Sequence, residues 1–461
     1  MRNKFKIYSS IMGLLFILLN WSQAFFINYL IPLGVISIIA LIINMVIIKQ
    51  LTNRKIFAVI MLLSTFFILI EITWMLFNKI ALFLAAQVTL SITGFILLSI
   101  GLGIRRKFKH AILTILVTGL KLITLLVLTF ITILLIICII SPKPVTLFLQ
   151  NSTGAKNSYN APPSKTMIID KKYQLTTNIK YGDKYPRSYL NIITPTGHFD
   201  KNRPTYFYVH GGGFIQGDSM GGDPNASTSQ NTTLKQYEKM IDHGFNVVTI
   251  NYALAPQYVH PTPVNQLSEA VNFMKKNDEK YKINMDSVVF AGGSSGGFIA
   301  ADFTTIQTNP QYSKESGIKP VIKSKNIKAL VLESPALDAS RGHKTKKENL
   351  ITDYIFGQSM AAYFDMPVVS GNEDKINKIN LIKKVTSESP PTYISDGNTG
   401  TFADQARDYY HILKEHNVKS ELYIPDIKKS EQGHGFMFHN MGSKASHIYL
   451  EKKFEFLKSL N

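Results

Sequence analysis

Cysteine is almost missing from this 461-residue chain. Cys138 stands alone, which excludes an intrachain disulfide framework and a cysteine-based zinc site. Acidic residues are scarce too, and unevenly so. Residues 1–150 hold thirteen Lys and Arg against one acid, Glu71, whereas the remainder holds 37 basic and 30 acidic residues. The formal net charge of +19 is therefore not the footprint of a nucleic-acid binder, because in the first third the basic residues only punctuate long apolar runs. With 46% hydrophobic residues and no internal repeat of useful length, the composition also excludes a disordered or collagen-like chain.

What is present first is apolar sequence of bilayer length. A helical crossing needs about 20 mostly apolar residues. Five segments qualify: Ile7–Phe25, Ile27–Ile48, Ile56–Phe77, Ala81–Ile104 and Leu122–Ile140. The first is interrupted by Asn20, Trp21, Ser22 and Gln23, but no small-residue cleavage site follows it and a second apolar run begins at once, so it reads as a crossing. Basic residues orient the set, since cytoplasmic loops retain Lys and Arg. Arg2, Lys4 and Lys6 precede the first crossing, Lys49, Arg54 and Lys55 follow the second, and Arg105, Arg106, Lys107 and Lys109 follow the fourth. All three clusters then lie on the cytoplasmic side, and the fifth crossing delivers the rest of the chain outside the cytoplasmic membrane. Lys121 is expected to snorkel, and Glu71 to hold an interfacial or paired structural position rather than a relay.

The polar stretch 142–165, with Pro162 and Pro163, reads as a linker between a transmembrane region (1–141) and a soluble domain (166–461). There, short β-branched or aromatic runs alternate with charged helical stretches, the pattern of an α/β fold with a mostly parallel sheet. Strands are expected at 188–193, 205–209, 245–251, 287–291, 329–333, 392–395 and 421–424. Helices are expected at 234–243, 263–276, 403–416 and 446–460, and 341–384 is a candidate cap insertion.

Within this domain Val288, Val289, Phe290 and Ala291 run into Gly292-Gly293-Ser294-Ser295-Gly296-Gly297, followed by helical sequence. A strained strand-to-helix turn that exposes a serine needs such small neighbours. The letters fit two registers, with Ser294 or Ser295 as nucleophile. His210-Gly211-Gly212-Gly213-Phe214 follows another strand, and its glycines can turn backbone N–H groups towards an oxyanion. Gly211, Gly212 and the N–H of Ser295 are the expected hole, with His210 structural. Asn251-Tyr252-Ala253-Leu254-Ala255-Pro256 follows a third strand.

In this order the three pieces resemble the hormone-sensitive-lipase-like branch of the α/β hydrolases, and Ser334-Pro335-Ala336-Leu337-Asp338 and His434-Gly435-Phe436 fit the same pattern. The resemblance spans Tyr189 to the C-terminus and does not reach the membrane region. It implies an α/β-hydrolase fold and selects Ser294 as nucleophile. It also implies a triad in the order Ser, acid, His, with His434 as base. The acid is where the pattern breaks, because Gly400 stands where the family places its Asp. Asp404 is the first candidate, at the start of a helix; Asp396 is the second, and Asp338 the third. Loss of an orienting Asp can cost about 10⁴ in kcat. The expected activity is a membrane-anchored serine esterase or lipase acting on a small-molecule or lipid ester, with no metal and no cofactor. An acyltransferase using the same acyl-enzyme, and a catalytically impaired binding or sensory module, are the alternatives. Oligomeric state is left open.

Overall fold

The computed structural model describes the chain except residues 1, 27–29, 78–79, 103–110, 159–160, 198–199, 221–231, 346–349, 368–372 and 461. The basic cluster Arg105, Arg106, Lys107 and Lys109 lies outside the described residues. The chain divides into two compact units, with the main boundary between Pro144 and Val145.

The first unit is all α: α1 (Arg2–Phe25), α2 (Leu30–Leu51), α3 (Arg54–Phe77), α4 (Ile80–Leu102) and α5 (Ala111–Ile140). All five are long and apolar enough to cross a membrane. α5 starts eleven residues before the segment expected at Leu122, so Lys121 lies inside it, where its ammonium donates to the Leu102 carbonyl at the end of α4. The outward faces are apolar, as at Leu62, Leu76 and Ile112, and polar side chains turn inward. Asn20 donates to the Gln87 carbonyl (2.9 Å) and the Ser91 hydroxyl (3.0 Å), and Trp21 to Thr132 (2.8 Å). Glu71 is buried in this interior and accepts from Gln23 at 3.4 Å. Its partner is thus a side chain inside the bundle.

The second unit opens with α6 (Lys143–Thr153), so part of the stretch expected as linker is helical. Among the described residues nine strands follow: β1 (Lys165–Ile169), β2 (Tyr173–Lys180), β3 (Tyr189–Pro195), β4 (Pro204–Val209), β5 (Asn246–Ile250), β6 (Asn284–Gly293), β7 (Ile327–Glu333), β8 (Thr392–Ser395) and β9 (Ser420–Tyr423). They form one sheet in the order β1-β2-β3-β5-β4-β6-β7-β8-β9. Pairing is antiparallel from β1 to β5 and parallel from β5 to β9. The expected strands are all present, and β1 and β2 are additions. The intervening helices are α7 (Thr232–Asp242), α8 (Thr262–Tyr281), α9 (Ser295–Thr308), α10 (Pro310–Ser316), α11 (Leu350–Phe364), α12 (Glu373–Lys378), α13 (Ala403–Glu415), α14 (Phe436–His439) and α15 (Lys444–Lys458).

The parallel strands are buried on both faces, as parallel sheets require. Alternation along β4 divides its residues: Tyr206 and Tyr208 join a core with Tyr237 and Met240 of α7 and Tyr449 and Leu457 of α15. Phe207, between them, meets Phe290 of β6 at 5.6 Å, and Phe290 meets Phe303 of α9 at 4.9 Å. At the end of β7 the Glu333 carboxylate is buried and paired with Lys453 of α15 at 3.2 Å. Removing one partner of such a pair costs about 3–5 kcal/mol.

Candidate active site

The parallel strands deliver their C-terminal ends to one edge, where loop residues converge. β6 ends at Gly293, α9 begins at Ser295, and Ser294 makes the turn at φ +51°, a region that costs a non-glycine residue about 1–3 kcal/mol. Two features hold it there. Its N–H donates to the Glu333 carbonyl at 2.7 Å, and the helix packs against β4 so closely that a Cβ on Gly296 would strike the Val209 carbonyl. This is the strained strand-to-helix turn expected of the first of the two registers, with Ser294 at its apex. Ser295 turns its buried hydroxyl towards the Tyr252 hydroxyl, 3.5 Å away, while the Ser294 hydroxyl lies 2.9 Å from His434 Nε2.

His434 sits in the loop after β9. It is flanked by the rings of Phe356 (4.9 Å) and Phe402 (5.6 Å), and the Gly435 N–H donates to the Ser334 hydroxyl at 3.0 Å. Burial, with a smaller contribution from His439, pushes its pKa down to about 4. The ring is thus neutral at pH 7, the state a general base needs.

The acid side departs from expectation. Asp404, in the first turn of α13, is not brought to His434: its carboxylate pairs with Arg341 at 3.0 Å. The same guanidinium holds Asp338 (2.9 Å) and Asp408 (2.7 Å), which also keeps Asp338 from the site. Three acids around one cation explain the correction, because Arg341 offers Asp404 a charged partner that the imidazole cannot match. Asp396, directly after β8, is the acid on the His434 side, and one residue intervenes. The Thr401 hydroxyl lies 3.0 Å from His434 Nδ1 and donates to Asp396 Oδ1 at 2.5 Å, while the Gly397 N–H donates to the same oxygen at 2.7 Å. Gly400, at φ +56°, forms the turn that leads into Thr401. Full burial raises the Asp396 pKa to about 7, with Thr401, Ser334 and the Gly397 N–H pulling the other way. Thr401 was not among the candidates. Its only signal in the sequence is its place beside Gly400, where a carboxylate was sought and a hydroxyl was not.

A cavity of about 570 Å³ opens over Ser294 and is lined by Leu149, Gly211, Gly212, Ile215, Phe356 and His434 among others. A Cβ on Gly211 would lie 3.3 Å from the Ser294 Cβ, and Gly212 adopts φ +122°, where an L side chain would be strained and would strike the Gln216 carbonyl. Ser295 contributes the first N–H of α9, which has no acceptor within its helix. Arg187 braces this loop from behind, donating to the Gly217 (2.6 Å) and Tyr252 (3.0 Å) carbonyls. His210 is buried, stacked on Tyr252 at 4.2 Å, and burial lowers its pKa to about 4. Of the apolar residues in 341–384, Phe356 faces the cavity, whereas Met360 and Phe364 are core.

Residues 206–438 match the family described as having the alpha/beta hydrolase fold, half of the chain, and they contain the elbow, the glycine loop and the histidine. The chain belongs to the α/β hydrolase family. This hydrolase is 24% identical over 325 residues to a protein of Acanthamoeba polyphaga mimivirus named as an alpha/beta hydrolase, covering 66% of this chain and 84% of the relative. It is 30% identical over 122 residues to the acetyl esterase of Salmonella paratyphi B, covering 26% of this chain and 32% of that one. An esterase of Gibberella moniliformis is 26% identical over 130 residues, covering 27% and 36%. The chain thus matches about a third of the length of these two esterases. Among solved structures, esterase B of Lactobacillus rhamnosis superposes with a TM-score of 0.52 at 16% identity, covering 69% of this chain and 95% of that one. That likeness concerns the fold alone.

Proposed function

We propose that this hydrolase is a membrane-anchored serine esterase that cleaves carboxylic esters through an acyl-enzyme. The observation that carries the reading is the 2.9 Å contact between the Ser294 hydroxyl and His434 Nε2, made at a strained elbow beneath a cavity lined by the glycine loop.

Ser294 Oγ attacks the ester carbonyl as its proton passes to His434 Nε2. The N–H groups of Gly211, Gly212 and Ser295 hold the oxyanion, His434 returns the proton to the departing alkoxide, and water cleaves the acyl-enzyme by the same route. Asp396 is the triad acid and acts through Thr401: Nδ1–H donates to the threonine hydroxyl, which donates to the carboxylate. This fixes the tautomer with a free lone pair on Nε2, as an aspartate in direct contact does. Asp404 serves the structure of α13 through Arg341. The 341–384 segment is a cap whose helix α11 presents Ile355, Phe356 and Ser359 to the cavity.

Five helices long and apolar enough to cross a membrane, with the basic clusters read as cytoplasmic, support a hydrolase unit on the outer side of the cytoplasmic membrane. The deciding experiment is turnover of chromogenic acyl esters by the full chain in detergent, beside Ser294→Ala and labelling by a fluorophosphonate probe. Turnover and labelling that both vanish with Ser294→Ala are expected. A folded protein that neither turns over any ester nor takes the label would overturn the reading in favour of a binding module.

A further inference from the structure

α6 begins three residues after α5 ends at Ile140, so no more than about 10 Å of chain separates it from the end of an apolar helix of membrane-spanning length. The helix has two unlike faces. Thr146 and Gln150 point into the hydrolase unit, where the buried Gln150 amide donates to the carbonyls of Ile215 (2.8 Å) and Ala255 (2.6 Å) and accepts from Gln257 (3.2 Å). Ile215 belongs to the loop that carries Gly211 and Gly212, and beside Gln150 the side chains of Leu149 and Thr153 line the catalytic cavity. Across the helix from Gln150, at 100° per residue, stands Phe148, 70% exposed; Leu147, 38% exposed, flanks that face, which it shares with the exposed Asn151 and Ser152. Beyond α5, the exposed large apolar side chains among the described residues are these two and the scattered Ile168, Ile351 and Ile427.

A helix that buries a glutamine and exposes a phenylalanine is inverted for water and suited to a lipid interface, where an apolar face enters the headgroup boundary by about 5–10 Å. We propose that α6 is an interfacial helix. Leu147 and Phe148 seat it in the outer leaflet, and its opposite face forms the rim of the catalytic cavity. The esters taken are consequently amphiphiles resident in the bilayer, which reach Ser294 from the lipid rather than from bulk water. The occupant of the apolar face is the membrane, because the preceding helix already carries the chain there. This inference rests on the membrane-anchored esterase reading.

The full chain is reconstituted in phosphatidylcholine–phosphatidylglycerol vesicles. In a Cys138→Ser background, Phe148→Cys carries a nitroxide label, and its collisions with oxygen and with a nickel chelate are compared. Oxygen-favoured collisions are expected, and chelate-favoured collisions at that position overturn the seating. In parallel, Leu147→Asn combined with Phe148→Asn is assayed on a water-soluble short-chain ester and on a long-chain ester dissolved in the vesicles. The soluble ester should change less than twofold and the vesicle ester should fall about tenfold, chiefly through KM. An equal fall on both esters would show that α6 only props the glycine loop, and would overturn delivery from lipid. An immersed label with no wild-type turnover of either ester would instead sink the esterase reading and leave the seating of α6 standing.

Discussion

The two units differ most in what they expose. In the helical unit the large exposed side chains are Ile, Leu, Val and Phe, and Asn20, Gln23, Ser37, Asn44, Glu71 and Gln87 are buried beside apolar residues such as Phe16, Leu41 and Phe67. The hydrolase unit fills its interior with Val247, Val289, Phe290 and Leu330, and its buried polar residues include those around Ser294, such as Asp396 and Thr401. The first arrangement suits hydrocarbon and the second suits water. In hydrocarbon an apolar surface costs nothing, and inward hydrogen bonds hold helices together. In water the apolar groups go inside, and a polar group kept there must have a partner or a task. Buried polarity therefore suits adhesion in the first unit, while in the second it serves both structure, as in the Glu333–Lys453 pair, and the site around Ser294.

That contrast can be broken most severely at Ser294. Ser294→Ala should remove ester turnover by 10³-fold or more while leaving the thermal midpoint within a few degrees, read by steady-state kinetics and a melting curve of the same sample. A large loss of stability instead would mean that the hydroxyl is structural. Next come the acid-side residues. Thr401→Val and Asp396→Asn should each lower kcat by about 10²-fold, less than the ~10⁴ seen when a directly bonded Asp is lost, whereas Asp404→Asn should stay within threefold. If Asp404→Asn were the severe variant, the assignment of the acid to Asp396 would be wrong.

pH sharpens the same point. Asp396 is raised to about 7 and His434 lowered to about 4, so kcat/KM for a soluble ester should fall as pH drops through 7, while the imidazole remains neutral. Asp396→Asn should flatten that limb. The sign for stability is opposite. A carboxyl whose folded pKa lies above its unfolded value favours the fold below pH 4, and that contribution is lost as pH rises through 7, so Asp396→Asn should melt higher than wild type at pH 8. The smallest effect belongs to the bundle: Asn20→Ala, which loses two inward hydrogen bonds, should cost about 1 kcal/mol in detergent and leave turnover unchanged.

Most of this architecture could be read from the residues, for physical reasons that differ between parts. Apolar runs of bilayer length announce α1 to α5, and the glycine-flanked Ser294 and the His210–Phe214 loop announce the elbow and the cavity beside it, because few other residues fit such turns. β1 and β2 escaped because Lys165–Ile169, the edge strand, and Tyr173–Lys180 beside it are of mixed polarity. α6 escaped because Lys143, Pro144, Asn151 and Ser152 mimic a linker, and its helicity rests on tertiary contacts such as those of Gln150. The pairing of Asp404, placed ahead of Asp396, was not legible because spacing reports that Asp404 opens a helix and says nothing of Arg341, 63 residues earlier, which claims its charge.

The threonine between base and acid has one more consequence. A hydroxyl carries a single proton, so the row His434–Thr401–Asp396 can point only one way at a time. With Asp396 ionised, every proton points towards the carboxylate and Nε2 is bare. A proton on Asp396 Oδ1, the oxygen that Thr401 meets, would turn the threonine's own proton towards Nδ1 and leave the imidazole hydrogen on Nε2, whereas a proton on Oδ2 leaves Oδ1 accepting from Thr401 and the row unchanged. The row is a proton wire with a polarity, and that polarity is set by which carboxylate oxygen carries the proton.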